Sequence, residues 1–384
     1  MAIEVTRHIK EKVKTALWGK SAGRCQFNGC NRPLYQSPIT LERVNIAEAA
    51  HIYSFSKDGP RGWGPFITNK KALNEVGNLM LMCHDCHKTI DQDINGDKYS
   101  ADLLQKWKKE HEYRVWTVAG ISPTNKSHVV FYGANIGEQK SPLQYNEAVA
   151  AMFPTKYPVS SDAIELSMSS SLVDRDAEYW AAESKHLDSI FTQQVVPLIS
   201  SSQNAHFSLF SLAPMPLLIK LGCLFTDKVD VCTYQPIREP KTWSWQPTPD
   251  EFEFIVEPSN TAHGLPVLVL SLSAHINHTR IYSELGDKVD IWEVKTPVQY
   301  QHNDFIRSPE QLSQFRKTMR QVLERISAQY GLDAQLSIFP AMPASCAVEL
   351  GRVRMPKASM SWHIYDQNFD TKKFESTITI QGGK

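Results

Sequence analysis

The chain has 384 residues, 42% of them hydrophobic, which is enough for ordinary buried cores and for two or more domains. No apolar run approaches the roughly 18 residues of a membrane helix, and Met1-Ala-Ile-Glu-Val-Thr-Arg-His8 lacks the apolar stretch of a signal peptide, so a cytoplasmic protein with no membrane partner is expected. Formal charge is zero, yet residues 1–116 hold 18 Lys and Arg against 13 Asp and Glu, while the remainder holds 23 against 28, so a partner bearing phosphates suits the N-terminal part.

Apolar residues at Val5, Ile9, Val13, Ala16 and Leu17 have helical spacing. Cys25 to Cys30 reads as a knuckle turned by Asn28-Gly29. Leu41 to Tyr53 should begin one strand of a short hairpin, and residues 56–75 read as a Gly- and Pro-punctuated loop. Leu79 to Met82 is a short apolar strand running into a second knuckle, and a helix follows from about Asp85 to Asp91. Ser100 reads as the N-cap of another helix carrying Leu103, Leu104 and Trp107. The expected organisation is a first domain over 1–116, a polar linker over 117–127 and a second domain over 128–384.

In the second domain, strands are predicted at Val129–Tyr132, Phe207–Leu212, Val229–Tyr234, Val267–Leu272, Leu336–Phe339 and Ser361–Tyr365. Helices are predicted at Asp176–Ser200, Leu217–Leu224 and Pro309–Tyr330, the last with Leu312, Phe315, Met319, Val322, Ile326 and Tyr330 in register. The alternation argues for an α/β domain with a largely parallel sheet. An internal echo runs through it. Leu209-Phe-Ser-Leu-Ala-Pro-Met-Pro216 leads through a helix to Leu221-Gly222, and Leu336-Ser-Ile-Phe-Pro-Ala-Met-Pro343 leads to Leu350-Gly351, with helices that differ by two residues. Each ends in a strand carrying Tyr234-Gln235 or Tyr365-Asp366, so two similar Rossmann-like halves are expected.

Cys25, Cys30, Cys83 and Cys86 form two close pairs, a pattern that makes one tetrahedral Zn2+ site. Cys223, Cys232 and Cys346 read as buried small hydrophobes. Around the four cysteines stand Glu48-Ala-Ala-His51-Ile52, Gly77-Asn78 and His87, with Asn78 nine residues before His87. In that order and spacing the set resembles the HNH endonucleases. The resemblance implies a ββα-metal fold, with His51 as the base that deprotonates water. Asn78 orients the His51 loop, and His87 ligates a catalytic Mg2+ or similar cation. The residue before the first His is usually an acidic or His ligand in that family, and here it is Ala50, so Glu48 or Asp91 must supply the oxygen, with Asp91 one helical turn from His87 slightly favoured. His84 reads as a surface residue, and Lys57, Arg61, Lys70 and Lys71 as a solvated loop or as phosphate contacts.

With Pro343-Ala-Ser-Cys-Ala-Val-Glu-Leu-Gly-Arg352 added, the chain resembles the HNH–SAVED effectors of bacterial CBASS antiphage systems. SAVED domains look like two fused CARF-type Rossmann halves, in line with the echo. The resemblance implies a sensor that binds a cyclic di- or trinucleotide, assembles into a homo-oligomer and releases largely non-specific cleavage of double-stranded DNA. Ligands of open α/β sheets bind at the carboxyl ends of strands. The candidate ligand residues there are Met215, Pro216, Tyr234, Gln235, Ser273, His275, Met342 and Pro343, with Arg238 and Arg352 for phosphates and Trp243 and Trp245 for stacking. One rival is a restriction-type HNH enzyme whose second domain reads modified DNA, and the net acidity of that domain counts against it; the other is a non-catalytic zinc module regulating DNA.

Overall fold

The computed structural model describes residues 8–137, 143–168, 171–176, 178–201, 205–249 and 251–383, which form two compact units, Met1–Ser122 and Pro123–Lys384. Val5, the first apolar position of the expected N-terminal helix, lies outside the described residues.

The first unit contains α1 (Glu11–Ser21), β1 (Ala47–His51), β2 (Leu79–Cys83), α2 (His84–Asp91) and α3 (Ala101–Ala119). β1 and β2 pair antiparallel, from Ala47 opposite Cys83 to His51 opposite Leu79. β2 is buried throughout because Leu-Met-Leu-Met offers apolar side chains to both faces. Val13 and Leu17 of α1, Ile90 of α2 and Leu104 of α3 close the core around it. Ser100 caps α3, its Oγ accepting from the Leu103 N–H at 3.3 Å. The helix runs on to Ala119, and the next strand begins at Lys126, so residues 120–125 lie between them.

The second unit has two sheets. In the first, β3 (Lys126–Gly133), β6 (His206–Leu212) and β7 (Asp230–Tyr234) run parallel, with short β4 (Tyr157–Pro158) and β5 (Ile164–Glu165) also parallel to β3. Its helices are α4 (Tyr145–Met152), α5 (Tyr179–Gln194), α6 (Val196–Ser201) and α7 (Met215–Phe225). In the second sheet β8 (Ile255–Glu257), β9 (Leu265–Ser271), β10 (Val289–Lys295), β11 (Gln335–Ala341), β12 (Ser361–Gln367) and β13 (Phe374–Ile380) stand in the order β13-β12-β11-β9-β10-β8. Its four central strands are parallel and its two edge strands antiparallel, so this sheet is mixed. With it go α8 (His278–Leu285), α9 (Pro309–Tyr330) and α10 (Ala344–Arg352). Ser308 and Gln311 form a reciprocal capping box that starts α9, and Leu312, Phe315, Met319, Val322 and Ile326 are its buried stripe.

The echo is closer than the sequence suggests. β6 begins at His206 and β11 at Gln335, the helix N-caps are Pro214 and Pro343, and the helix glycines are Gly222 and Gly351. Each counterpart lies 129 residues further on, with no gap from strand through helix. The two-residue difference falls after the glycine, where the chain turns towards β7 or β12. α7 and α10 cross where the glycines meet. A Cβ on Gly222 would overlap the Val348 carbonyl, and one on Gly351 would overlap the Ile219 carbonyl, so the backbones touch with no side chain between them. An aromatic triplet repeats as well. Phe210 stacks on Tyr234 at 4.4 Å and meets Trp243 edge-on at 5.3 Å, while Phe339 stacks on Tyr365 at 4.5 Å and meets Phe374 edge-on at 5.0 Å.

Candidate functional site

The four cysteines come together as the spacing predicts. One sulfur from each of Cys25, Cys30, Cys83 and Cys86 lies within 4.8 Å of the others. A tetrahedral thiolate site with metal–sulfur bonds of about 2.3 Å sets its sulfurs about 3.8 Å apart, so the donor set fits a metal ion. The knuckles are held by backbone: Cys25 N–H donates to Arg32 O at 3.0 Å, Gln26 N–H to Leu81 O at 2.8 Å and Cys30 N–H to Phe27 O at 3.0 Å. Burial pushes the Cys25 thiol up to about 12 and raises Cys86 too, a cost that a divalent cation offsets by binding the thiolates.

His51 ends β1, and its Nε2 lies 2.9 Å from Asn74 Oδ1. With the amide oxygen as acceptor, Nε2 carries the proton and Nδ1 the lone pair. Asn78 is buried and clamps the chain on both sides of the loop. Its Nδ2 donates to Tyr53 O (2.9 Å) and Leu73 O (3.0 Å), its Oδ1 accepts from Tyr53 N (2.9 Å), and its carbonyl accepts from Ile52 N (2.8 Å). Arg61 ties the same strand to α2. Its guanidinium donates to Ile52 O (2.6 Å), His51 O (3.3 Å) and Ile90 O (2.8 Å) and stands 3.5 Å from Asp91. Arg61 is thus a buried strap and does not face solvent as a phosphate contact would. Asn74 escapes a sequence reading because it ends a single short 3-10 turn, Lys70–Asn74, with no period to flag it.

On α2, His87 lies between two carboxylates: its Nδ1 is 2.6 Å from Glu48 Oε2 and its Nε2 is 3.3 Å from Asp91 Oδ2. The Asp91 hydrogen bond, with Glu48 behind it, holds the His87 imidazole above its ordinary value against burial. Burial alone would raise Asp91, but His87 and Arg61 hold it below the usual carboxylate range. Glu48 also reaches His84 Nδ1 at 2.8 Å, so both its oxygens face imidazoles and hold its carboxyl down. His84 is exposed as predicted, yet it has this partner. Among the described residues, the four cysteines are the only group of three or more candidate ligands whose donor atoms converge; Glu48, His87 and Asp91 stand in a row. That row leaves His87 Nε2 and Asp91 facing one another, a pair that suits a hard cation keeping several waters, with Glu48 orienting the imidazole from behind.

In the second unit a cavity of about 1220 Å3 opens at the carboxyl ends of β6 and β11, where the N-termini of α7 and α10 converge. Met215, Gln235, Arg238, Trp243, Met342 and Pro343 line it. The other candidates do not. Pro216 is buried in α7, and Tyr234 is buried with Phe210 and Trp245 stacked against it at 4.4 and 5.8 Å. Ser273 and His275 follow β9, where Ser273 N–H is taken up by Ala341 O at 2.8 Å. Arg352 is a brace: its guanidinium donates to Glu349 (3.0 Å), Val229 O (2.9 Å) and Val231 O (3.3 Å), joining α10 to β7. Sequence reasoning missed Asp366, Phe369, Lys241 and Lys372, which also line the cavity. Tyr365-Asp366 in the echo was the available signal for the first. Of the remaining cysteines, Cys346 is buried and Cys223 half-buried, while Cys232 is exposed because β7 is a sheet edge whose alternate residues point outward.

Residues 25–93 match the HNH endonuclease family, and residues 188–380, half of the chain, match the "SMODS-associated and fused to various effectors sensor domain", SAVED. No curated protein matches. Among solved structures, the Acinetobacter baumannii Cap4 SAVED/CARF-domain containing receptor with the cyclic trinucleotide 2'3'3'-cAAA is 12% identical with a TM-score of 0.41, covering 81% of this chain and 70% of that one. The same receptor with 3'3'3'-cAAA gives 12% and 0.43, over 81% and 69%. The Moraxella osloensis Cap4 receptor gives 11% and 0.40, over 81% and 69%. The chain belongs to the SAVED sensor family and carries an HNH endonuclease domain ahead of the sensor.

Proposed function

We propose that this protein is an antiphage effector nuclease in which a cyclic oligonucleotide, bound in the cavity of the second unit, activates cleavage of double-stranded DNA by the first. One observation carries the reading: a single chain joins the ordered His51, Asn78 and His87 to a cavity walled by two related strand–helix units with basic side chains at its rim.

His51 takes the proton from water at Nδ1, while its Nε2–H stays on Asn74. Asn78 transfers no proton; it fixes Tyr53 and Leu73 so that the His51 ring keeps its aim. His87 and Asp91 would hold a divalent cation such as Mg2+, which steadies charge on the phosphate and the departing 3′ oxygen. Cys25, Cys30, Cys83 and Cys86 hold a structural zinc. In the cavity, Arg238, Lys241 and Lys372 face the phosphates of the ligand. Control runs through assembly: ligand favours association of sensor units, which raises the local concentration of nuclease units on one duplex.

The test is incubation of the purified protein with plasmid, Mg2+ and a panel of cyclic di- and trinucleotides, with light scattering on the same samples. Cleavage only with one ligand, with a rise in mass, is expected, and His51→Ala should bind and assemble without cutting. Cleavage with no ligand would overturn the sensor reading, and full activity at unchanged mass would overturn assembly.

A further inference from the structure

The two halves share a frame but not their chemistry at the cavity wall. Gln235 follows Tyr234, and Asp366 follows Tyr365; since the two tyrosines stack alike on Phe210 and Phe339, Gln235 and Asp366 are counterparts. Gln235 reaches across to the other half. Its Oε1 accepts from the Ser345 N–H at 3.1 Å and from the Ser345 hydroxyl at 2.7 Å, which closes the start of α10. The counterpart of Ser345, 129 residues earlier, is Pro216, which has neither an N–H nor a hydroxyl. Asp366 is therefore denied the partner that Gln235 has. Its Oδ1 accepts from the Gln367 N–H at 2.9 Å, while its other oxygen has no hydrogen-bond partner among the described residues. The side chain is half-buried and lines the cavity.

A carboxylate facing a ligand that carries phosphates is repelled by them unless it meets a donor elsewhere on that ligand. Nucleobases supply one in the exocyclic amino group of adenine, guanine or cytosine. Phe369, two-thirds exposed, lines the same cavity three residues on, with the Lys372 ammonium 3.8 Å from its ring centre. An exposed ring suits a base stacked on the face that Lys372 leaves open, and the lysine over the other face suits the adjoining phosphate. We propose that Asp366 reads the exocyclic amino group of one nucleobase of the ligand, so that the two ends of the pseudo-symmetric cavity hold non-equivalent bases. Burial and the nearby Asp174 push the Asp366 carboxyl up to about 7, so the unliganded group is partly protonated at neutral pH and a donor from the base would draw it to the carboxylate form.

This inference rests on the sensor reading, and the experiment separates the two. Isothermal titration of the full chain would use cyclic diadenylate, cyclic diguanylate, cyclic triadenylate and a mixed cyclic dinucleotide. Each would be run beside analogues in which one base, and then every base, lacks the amino group, with purine for adenine and hypoxanthine for guanine. The best-binding ligand should weaken little when one of its like bases is replaced, because an intact base can take the Asp366 end, and about tenfold or more when every base is replaced, the size expected for a hydrogen bond to a charged acceptor. In Asp366→Ala the fully replaced analogue should bind as well as its parent. No loss on full replacement in wild type, the whole loss already on single replacement, or the same loss in Asp366→Ala, would overturn the assignment while leaving the sensor intact. Binding of none of these ligands would overturn the sensor reading itself. The comparison in wild type needs no variant to fold.

Discussion

The two units hold their functional atoms in place by different means. In the nuclease unit, small apolar contacts are supplemented by point connections: four sulfurs, one buried amide at Asn78 and one guanidinium at Arg61. In the sensor unit, one large apolar core spans both sheets, and the decisive contact, Gly222 against Gly351, is backbone on backbone. The first arrangement concentrates stability in a few replaceable parts. The second spreads it over packing, where each truncated side chain costs a few kcal/mol of a larger total.

The sharpest way to break that contrast is to remove the proposed zinc. Chelation, or Cys83→Ser, should cost the nuclease unit its tertiary structure, since a structural zinc supplies roughly 10–16 kcal/mol to a small fold. The sensor unit should keep its own unfolding transition in calorimetry, and simultaneous loss of both would show that the units are not independent. Gly222→Leu does the converse. It forces a side chain into the Val348 carbonyl and should cost the sensor unit more than about 4 kcal/mol, leaving the nuclease transition where it was. Asn78→Ala comes next. It strands buried backbone groups of Tyr53 and Leu73 at a cost of about 2–4 kcal/mol, so both the nuclease melting temperature and the cleavage rate should fall. Unchanged cleavage would remove Asn78 from the positioning role.

The smallest effect is a pH dependence confined to the sensor unit. Glu183 is buried, one of its oxygens lacks a partner among the described residues, and burial pushes its carboxyl up from 4.5 to about 7. The folded state then holds a proton that the unfolded state has released, so stability falls as pH rises from about 4.5 to 7 and stays low above that. Glu183→Gln has no proton to lose. It should stabilise the sensor by about 1–3 kcal/mol at pH 8 and by little at pH 4.5 in denaturant titrations.

What the sequence made legible follows the same division. The cysteine pairs are fixed spacings, and their sulfurs come together in space as read; His51, Asn78 and His87 keep their order in the chain, with Asn78 clamping the loop after His51 and His87 meeting Glu48 and Asp91. Strands β6, β9 and β11 were visible as apolar runs because both their faces are covered. β10 and β13 were not, since charged or polar residues interrupt them: Val289-Asp-Ile-Trp-Glu-Val-Lys295 and Phe374-Glu-Ser-Thr-Ile-Thr-Ile380. Asp290 shows why, its carboxylate accepting from the Gly264 N–H at 2.7 Å and the Tyr330 hydroxyl at 3.0 Å, contacts made by residues far along the chain. Arg352 failed as a ligand residue for the same reason. A buried arginine and an exposed one look alike until Glu349 is placed beneath it.

The meeting of Gly222 and Gly351 also governs how motion can travel. Each glycine sits eight residues from its proline cap, about 12 Å at 1.5 Å per residue. Two rods in backbone contact, and mouthing the cavity at one end, have no side chain between them to absorb a shift, so a displacement of one cap bears directly on the other helix.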